Sequence, residues 1–319
     1  MANELISIVM AVYRPDPVWL REQLASLNTL EYSPIELLIW NDLPDDIKSD
    51  AVIEQEITNF PYKIYHAKEN LGSNSAFEKL TKIAGGDYLA YCDQDDIWHR
   101  DKLKKLAVAM KHEDATLVCS DMRVIDKNGN VIADGIREEH PRQIFDEGSG
   151  QLRTLLSRNF VTGCTMLVKS DMAKKAIPFL PYMVHDHWIA LWNAIYGKIA
   201  VVHEALVDYR IHGDNQSGIL AGIYTKTDYR EKRCLSYLKK IRALNARSFG
   251  AGVDSMISEY FDWAQIRYRY LSNPNVADFI RLMTKSHLDV KSSFFELALP
   301  FIPKRLFSLI IQYIKEGKI

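Results

Sequence analysis

The chain has 319 residues, is 47% hydrophobic and 25% charged, and carries 40 Lys+Arg against 41 Asp+Glu for a formal net charge of -1. That much apolar surface can offset the entropy of ordering a chain, which excludes intrinsic disorder. The near-zero charge argues against nonspecific nucleic-acid binding by the chain as a whole, and no nucleic-acid partner is expected. Charge is nevertheless uneven: residues 220–319 hold 17 Lys/Arg and 9 Asp/Glu, a net of +8, which leaves -9 for residues 1–219.

Residues 5–13 form an apolar run suited to a buried strand. Pro15-Asp16-Pro17 ends it, and Trp19, Leu20, Leu24 and Leu27 then recur at helical spacing behind Asp16, an N-cap followed by Pro. A second strand, Ile35 to Trp40, stops at Asn41-Asp42, and a third, Tyr62 to His66, stops before Asn70-Leu71-Gly72. A helix carrying Ala76, Phe77, Leu80 and Ile83 follows until Gly85-Gly86, and a fourth strand, Tyr88 to Cys92, runs into Asp93-Gln94-Asp95-Asp96. This alternation over the first 112 residues predicts βαβ units and a parallel sheet with covered faces.

The rhythm then changes. Leu117 to Val124, the turn Asp126-Lys127-Asn128-Gly129 and Val131-Ile132 read as a hairpin. Residues 136–150 read as a polar loop, Val161 to Val168 as a strand, 187–196 as a Trp-rich buried helix, and Ala200 to Val207 as a strand. After residue 220 the patterning is helical, broken at Gly250-Ala251-Gly252, Asn273-Pro274 and Pro300 to Pro303. Cys92, Cys119, Cys164 and Cys234 lie far apart without metal spacing and read as small buried hydrophobes of a reducing compartment. No run of 18 apolar residues occurs, and Met-Ala-Asn-Glu lacks the basic start and apolar core of a signal peptide.

Ligands of open parallel α/β sheets bind at the carboxyl ends of the strands. Three of the first four strands end there in polar groups: Asn41-Asp42, Asn70 with Gly72, and Asp93 to Asp96. Three carboxylates within four residues repel one another unless a cation resides among them, and Mg²⁺ or Mn²⁺, which take oxygen ligands and share them with phosphates, suit the spacing. The competing reading is that Asp95 or Asp96 caps the next helix. Rossmann, P-loop and serine-hydrolase signatures are all missing, so a metal bridge is the main candidate for neutralising a nucleotide diphosphate. His185-Asp186-His187-Trp188 opens a helix, where a carboxylate is a general base or a cap, and Tyr209-Arg210-Ile211-His212-Gly213-Asp214-Asn215-Gln216-Ser217 gathers polar groups behind the last strand.

In order, the strand with Tyr13, the Asn41-Asp42 strand end, Asp93-Gln94-Asp95-Asp96-Ile97-Trp98, and His185-Asp186-His187-Trp188 with Tyr209-Arg210-x-His212 resemble inverting glycosyltransferases of family 2. The Asp-Gln-Asp-Asp-Ile-Trp wording looks most like the bacterial rhamnosyltransferase-like branch, which builds surface polysaccharides. The likeness covers about residues 5–218. It implies a GT-A fold: α/β and Rossmann-like, with a mostly parallel sheet, helices on both faces and an all-helical C-terminal extension. Residues 1–219 would be the catalytic domain, with a nucleotide-sugar half about 1–112 and an acceptor half about 113–219, and 220–319 the helical region.

The resemblance also implies roles. Asp42 would read the base, Tyr13 and Arg14 would line the nucleotide pocket, and Asn70 and Gly72 would shape the loop beside it. Asp93 and Asp95 would hold ribose and metal, Mn²⁺ or Mg²⁺, with His212 a third metal or diphosphate contact assisted by Arg210. Asp186 would deprotonate the acceptor hydroxyl. The implied donor is dTDP-L-rhamnose, or else a UDP-hexose, and the acceptor a hydroxyl of a surface-polysaccharide or lipid-linked glycan. Asn41 departs from relatives that carry Asp there, and His185 from those with Glu. Two other readings stay open on residues alone: a nucleotidyltransferase, which should show a Gly-rich basic phosphate loop after the first strand, and a noncatalytic carbohydrate-binding or scaffold protein.

Residues 294–314 are apolar with Lys304-Arg305 in their midst. They suit peripheral contact with the inner face of the cell membrane, a homodimer interface through residues 220–319, or simple bundle packing in a cytoplasmic protein.

Overall fold

The computed structural model describes residues 3–141, 143–146, 150–212 and 222–315, so the Gly213 to Ser217 part of the polar loop lies outside the described residues. The chain splits into two compact units. The first comprises Met1–Leu155, Asn159–Phe179 and Val184–Gly213; the second comprises Leu156–Arg158, Leu180–Met183 and Asp214–Ile319.

The first unit is built on one nine-stranded sheet. Its strands are β1 (Ile6–Val12), β2 (Ile35–Asn41), β3 (Tyr62–His66), β4 (Tyr88–Cys92), β5 (Ile97–Trp98), β6 (Leu117–Ile125), β7 (Val131–Ala133), β8 (Met166–Lys169) and β9 (Ile199–Arg210). They lie in the order β3-β2-β1-β4-β8-β6-β9-β5, with β7 paired on β6. Pairing is parallel from β3 to β4. Beyond β4 the sheet is mixed: β8 runs antiparallel to both β4 and β6, β9 parallel to β6, and β5 antiparallel to β9.

Helices α1 (Pro17–Asn28), α2 (Ile47–Glu56), α3 (Ser73–Ile83), α4 (Lys102–His112), α5 (Ile136–Glu139), α6 (Gln151–Ser157), α7 (Ser170–Lys175) and α8 (His185–Tyr196) follow in chain order. Asp16 caps α1 through the amides of Val18 and Trp19. Alternate residues of β1 (Ile6, Ile8, Met10, Val12) share one cluster with Leu20 and Leu24 of α1, Val52 and Ile53 of α2, and Leu103 and Leu106 of α4. On the opposite parity Tyr91 of β4 meets Phe77 of α3, ring centroids 5.5 Å apart. A strand covered on both faces needs apolar side chains at every position, and that is why β1 and β4 read as unbroken runs.

Several boundaries differ from expectation. The residues expected to form one strand at Val161 to Val168 instead make a 3-10 turn at Gly163–Thr165 before β8. The polar loop at 136–150 contains α5. Neither Asp95 nor Asp96 caps α4: β5 intervenes and Asp101 occupies the cap position.

The second unit is helical from Lys226 onward. It holds α9 (Lys226–Asp228), a π-helical stretch Tyr229–Leu235, α10 (Ser236–Asn245), α11 (Ala251–Ser272), α12 (Val276–Thr284), α13 (Val290–Ala298) and α14 (Lys304–Lys315). Tyr229, Cys234, Leu299, Phe307 and Ile311 form one of its cores. Beside them a buried Arg267 pairs with a buried Glu296, and its guanidinium lies 4.0 Å from the Trp263 ring centroid. All four cysteines are buried and free.

Candidate active site

The parallel strands bring three polar ends to one edge. Val12 of β1 stands opposite Asn41 of β2, Met10 opposite Cys92 of β4, and the Asp42 amide reaches back to the Val12 carbonyl at 2.8 Å. Asn41 is fully buried, donating to Asp50 Oδ1 (3.0 Å) and the Asp46 carbonyl (3.3 Å), which folds the turn into α2. An amide can donate and accept there, whereas a second Asp would set its charge against Asp50. Asp42 accepts from the amides of Leu71 (3.0 Å) and Gly72 (2.8 Å) and from the Trp40 indole (3.1 Å). The carboxylate at the end of β2 therefore fixes the loop before α3, where Gly72 adopts φ +80°, a conformation that favours glycine. Asn70 is exposed on that loop.

The β4 end is tied to its neighbours by backbone contacts. The Gln94 side-chain amide pairs with the Tyr13 backbone in both directions, at 2.8 and 3.2 Å, and Arg14 lies 5.2 Å from the Tyr13 ring centroid. Arg210 at the end of β9 is buried: its amide donates to Asp96 Oδ1 (3.1 Å), its Nε to the Asp95 carbonyl (2.9 Å), and its terminal nitrogen to Glu22 of α1. Asp95 Oδ2 in turn meets His212 Nε2 at 2.9 Å, with the Trp19 ring 4.7 Å behind the imidazole.

Asp93, Asp96 and Cys164 can each present a ligand atom within 4.8 Å of the others. One oxygen of the fully buried Asp96 has no hydrogen-bond partner. Burial, with Asp95 beside it, pushes the Asp96 carboxyl up to about 7. Asp93 is raised well above the carboxylate range by loss of water first, then by Asp96, Asp95 and Asp186. A compensating cation is Lys102 of α4, fully buried, donating to the Cys164 carbonyl and lying 3.0 Å from the Trp98 ring centroid. Burial lowers this ammonium to about 7.

Asp186 stands in the first turn of α8, whose cap position is Val184. Its carboxylate accepts from the Gly163 amide (3.1 Å) and the Asn159 side chain (3.2 Å). Gly163 is required by contact: a Cβ there would lie 2.8 Å from His185 Nε2. His185 itself is buried between Phe77 and Tyr91, ring centroids 4.1 and 5.2 Å away, and burial alone lowers it to about 3.

The carboxylate-rich strand end of this arrangement sits on a stretch with a known sequence pattern: the family described as Glycosyl transferase family 2 matches residues 7–176. The chain belongs to this family. Among relatives of this glycosyltransferase, an uncharacterized glycosyltransferase of Methanocaldococcus jannaschii is 28% identical over 216 residues, covering 66% of this chain and 72% of that protein. One from Nostoc sp. is 28% identical over 215 residues, covering 66% of each. Two solved structures share the GT-A-like fold. TarS 1–349 of S. aureus in complex with UDP-GlcNAc has a TM-score of 0.59 at 14% identity, covering 98% of this chain and 88% of that one. The mannosyltransferase PcManGT from Pyrobaculum calidifontis, in complex with GDP-Man and Mn²⁺, has a TM-score of 0.57 at 14% identity, covering 99% and 86%.

The family 2 match ends before Asp186, Arg210 and His212. The fold of this glycosyltransferase gathers Asp93, Asp95, Asp186 and His212 around the β4 end, links Tyr13 to them through Gln94, and joins Asp42 to Gly72. Arg14 and Asn70 remain exposed at the rim, and the guanidinium of Arg210 is occupied by Glu22 and backbone carbonyls. Sequence reasoning missed Gly163, Asn159, Lys102, Glu22 and Cys164 as parts of the site. Of these only Gly163 carried a local signal, a glycine interrupting an apolar run.

Proposed function

We propose that this family 2 glycosyltransferase transfers a sugar, with inversion, from a nucleotide-diphosphate donor to an acceptor hydroxyl. The observation carrying this reading is Asp186: a carboxylate held by a backbone amide and an asparagine, next to His185, whose ring lies 5.2 Å from that of Tyr91 in β4. Asp186 takes the proton of the acceptor hydroxyl as its oxygen bonds to the anomeric carbon. The bond from that carbon to the diphosphate oxygen breaks, and the electron pair leaves with the nucleotide. Tyr13 and Arg14, with the Asn70–Gly72 loop that the buried Asp42 carboxylate holds in place, bind the nucleotide, and Arg210 keeps the Asp95 carbonyl and Asp96 in place.

A hard divalent cation belongs to this reading: Asp95 and His212 meet at 2.9 Å and Asp96 leaves a buried oxygen unsatisfied, but the group that the described residues bring within 4.8 Å is Asp93 and Asp96 with Cys164, not Asp93 with Asp95 and His212. When bound, Mn²⁺ or Mg²⁺ supplies charge neutralisation to the departing diphosphate. The Asp-Gln-Asp-Asp-Ile-Trp resemblance puts dTDP-L-rhamnose first among donors and a UDP-hexose second, with a surface-polysaccharide or lipid-linked glycan as acceptor. The two structural neighbours carry UDP-GlcNAc and GDP-Man, which places both sugars in the test panel.

The experiment is a thermal-shift and donor-hydrolysis panel of dTDP-, UDP- and GDP-sugars with Mn²⁺, on the native chain and on Asp95→Ala. Stabilisation by one nucleotide sugar that Asp95→Ala removes supports the reading. No response to any donor, or the same response from the variant, rejects it.

A further inference from the structure

Helix α14 carries more apolar arc than its own unit buries. At about 100° per residue, Phe307 and Ile311 point inward, Ile310 and Ile314 lie beside them, and Leu306 and Leu309 continue the arc outward. Leu306 and Leu309 are 46% and 43% exposed, and Phe301, just before the helix, is 78% exposed. Lys304, Arg305, Ser308 and Gln312 make up the polar side, so Arg305 borders Leu309 on the helix surface.

The charge of this segment is of one sign. No Asp or Glu occurs between Leu297 and Lys315. Four other cations of the unit are paired with carboxylates: Arg267 with Glu296, Arg269 and Arg281 with Asp278, and Lys285 with Asp262. Lys304 and Arg305 are exposed and, among the described residues, pair with no carboxylate. A second copy seated on the same face would set its own Lys304 and Arg305 against these, and like charges across an interface are repulsive. An anionic lipid surface satisfies both features at once: its headgroups take the cations and its acyl boundary takes the Phe and Leu side chains. No helix among the described residues is long and apolar enough to cross a membrane, so the contact is in the plane of the surface.

We infer that Phe301, Leu306 and Leu309, flanked by Lys304 and Arg305, form a docking face for an anionic lipid bilayer. This inference does not depend on the donor or on the role of Asp186. The test is co-sedimentation of the full chain with phosphatidylcholine vesicles and with phosphatidylcholine vesicles containing phosphatidylglycerol. Pelleting with the anionic vesicles alone, weakened by added salt, is expected. Leu306→Glu with Leu309→Glu returns it to the neutral-vesicle level, and Lys304→Ala with Arg305→Ala weakens binding roughly thirtyfold. Both variants change exposed positions, and unchanged melting curves verify their folds. Equal pelleting on the two compositions, no pelleting, or double variants that pellet like the native chain would overturn the inference. So would a dimer in sedimentation velocity that the Leu306→Glu, Leu309→Glu variant dissociates, because the face would then belong to a second copy.

Discussion

Gly163→Ala tests whether the turn before β8 holds Asp186 in its working position. The added methyl would lie 2.8 Å from His185 Nε2, 3.3 Å from its Cε1 and 3.8 Å from Asp186 Cβ. The imidazole cannot retreat, because Phe77 and Tyr91 pack against it. The turn must move instead, and the Gly163 amide then leaves Asp186 Oδ2, now 3.1 Å away. Overpacking of this kind costs about 1–3 kcal/mol of stability. A hydrogen bond to a charged group is worth about 1.5–3 kcal/mol, which translates to roughly ten- to hundredfold in kcat if the carboxylate is the base. Donor KM should stay near the native value, since Tyr13 and Asp42 are held by other contacts. Steady-state kinetics with a melting curve reads all three quantities. Unchanged kcat and melting temperature would refute the reasoning, and a rise in donor KM alone would relocate the effect to the nucleotide side.

Three further outcomes follow from the geometry. Gly72→Ala meets no atom within 4 Å but must adopt φ +80° with ψ 156°, a region essentially reserved for glycine, a strain of about 1–3 kcal/mol that shifts the amide bound to Asp42, so donor KM should rise while kcat changes little. Glu296→Ala leaves the buried guanidinium of Arg267 unpaired and should cost about 3–5 kcal/mol in denaturant unfolding, whereas Arg267→Met with Glu296→Leu together should cost far less. His185 stays neutral down to about pH 3 in the folded chain, while the unfolded chain protonates it near 6.5. Between those values the unfolded state binds the extra proton, so stability falls as pH falls, by up to about 1.4 kcal/mol per pH unit, and His185→Gln should flatten that acid limb in urea titrations at stepped pH.

Strands β1, β2 and β4 were legible because each is a largely apolar run closed by a turn, the way a strand buried on both faces is written, whereas the edge strand β3, exposed or half-buried throughout, was marked by its aromatic and β-branched residues and the turn behind it. Helix α2 escaped notice because Val52 and Ile53 are its only buried apolar positions, and β5 because it is two residues long. Beyond β4 only the β6–β7 hairpin could be read, since the seating of β8 between β4 and β6 joins segments far apart in sequence. In the site, the spacing of Asp93, Asp95 and Asp96 announced itself. The burial of Asp96, the clamp from Arg210 to Glu22 and the reach of Lys102 to the Cys164 turn did not, because each depends on the assembled sheet.

The central claim rests on a division of labour at the β4 end, with Asp186 acting on the acceptor and the remaining carboxylates on the donor. The most direct measurement is Asp186→Asn, assayed in parallel for donor binding by calorimetry and for sugar transfer, in Mn²⁺ and with the donor that the panel identifies. An amide keeps the shape but cannot accept the hydroxyl proton, so donor affinity should match the native chain while transfer falls by roughly 10²–10⁴. Transfer at the native rate, or loss of donor binding together with activity, would contradict the assignment of Asp186 as the base.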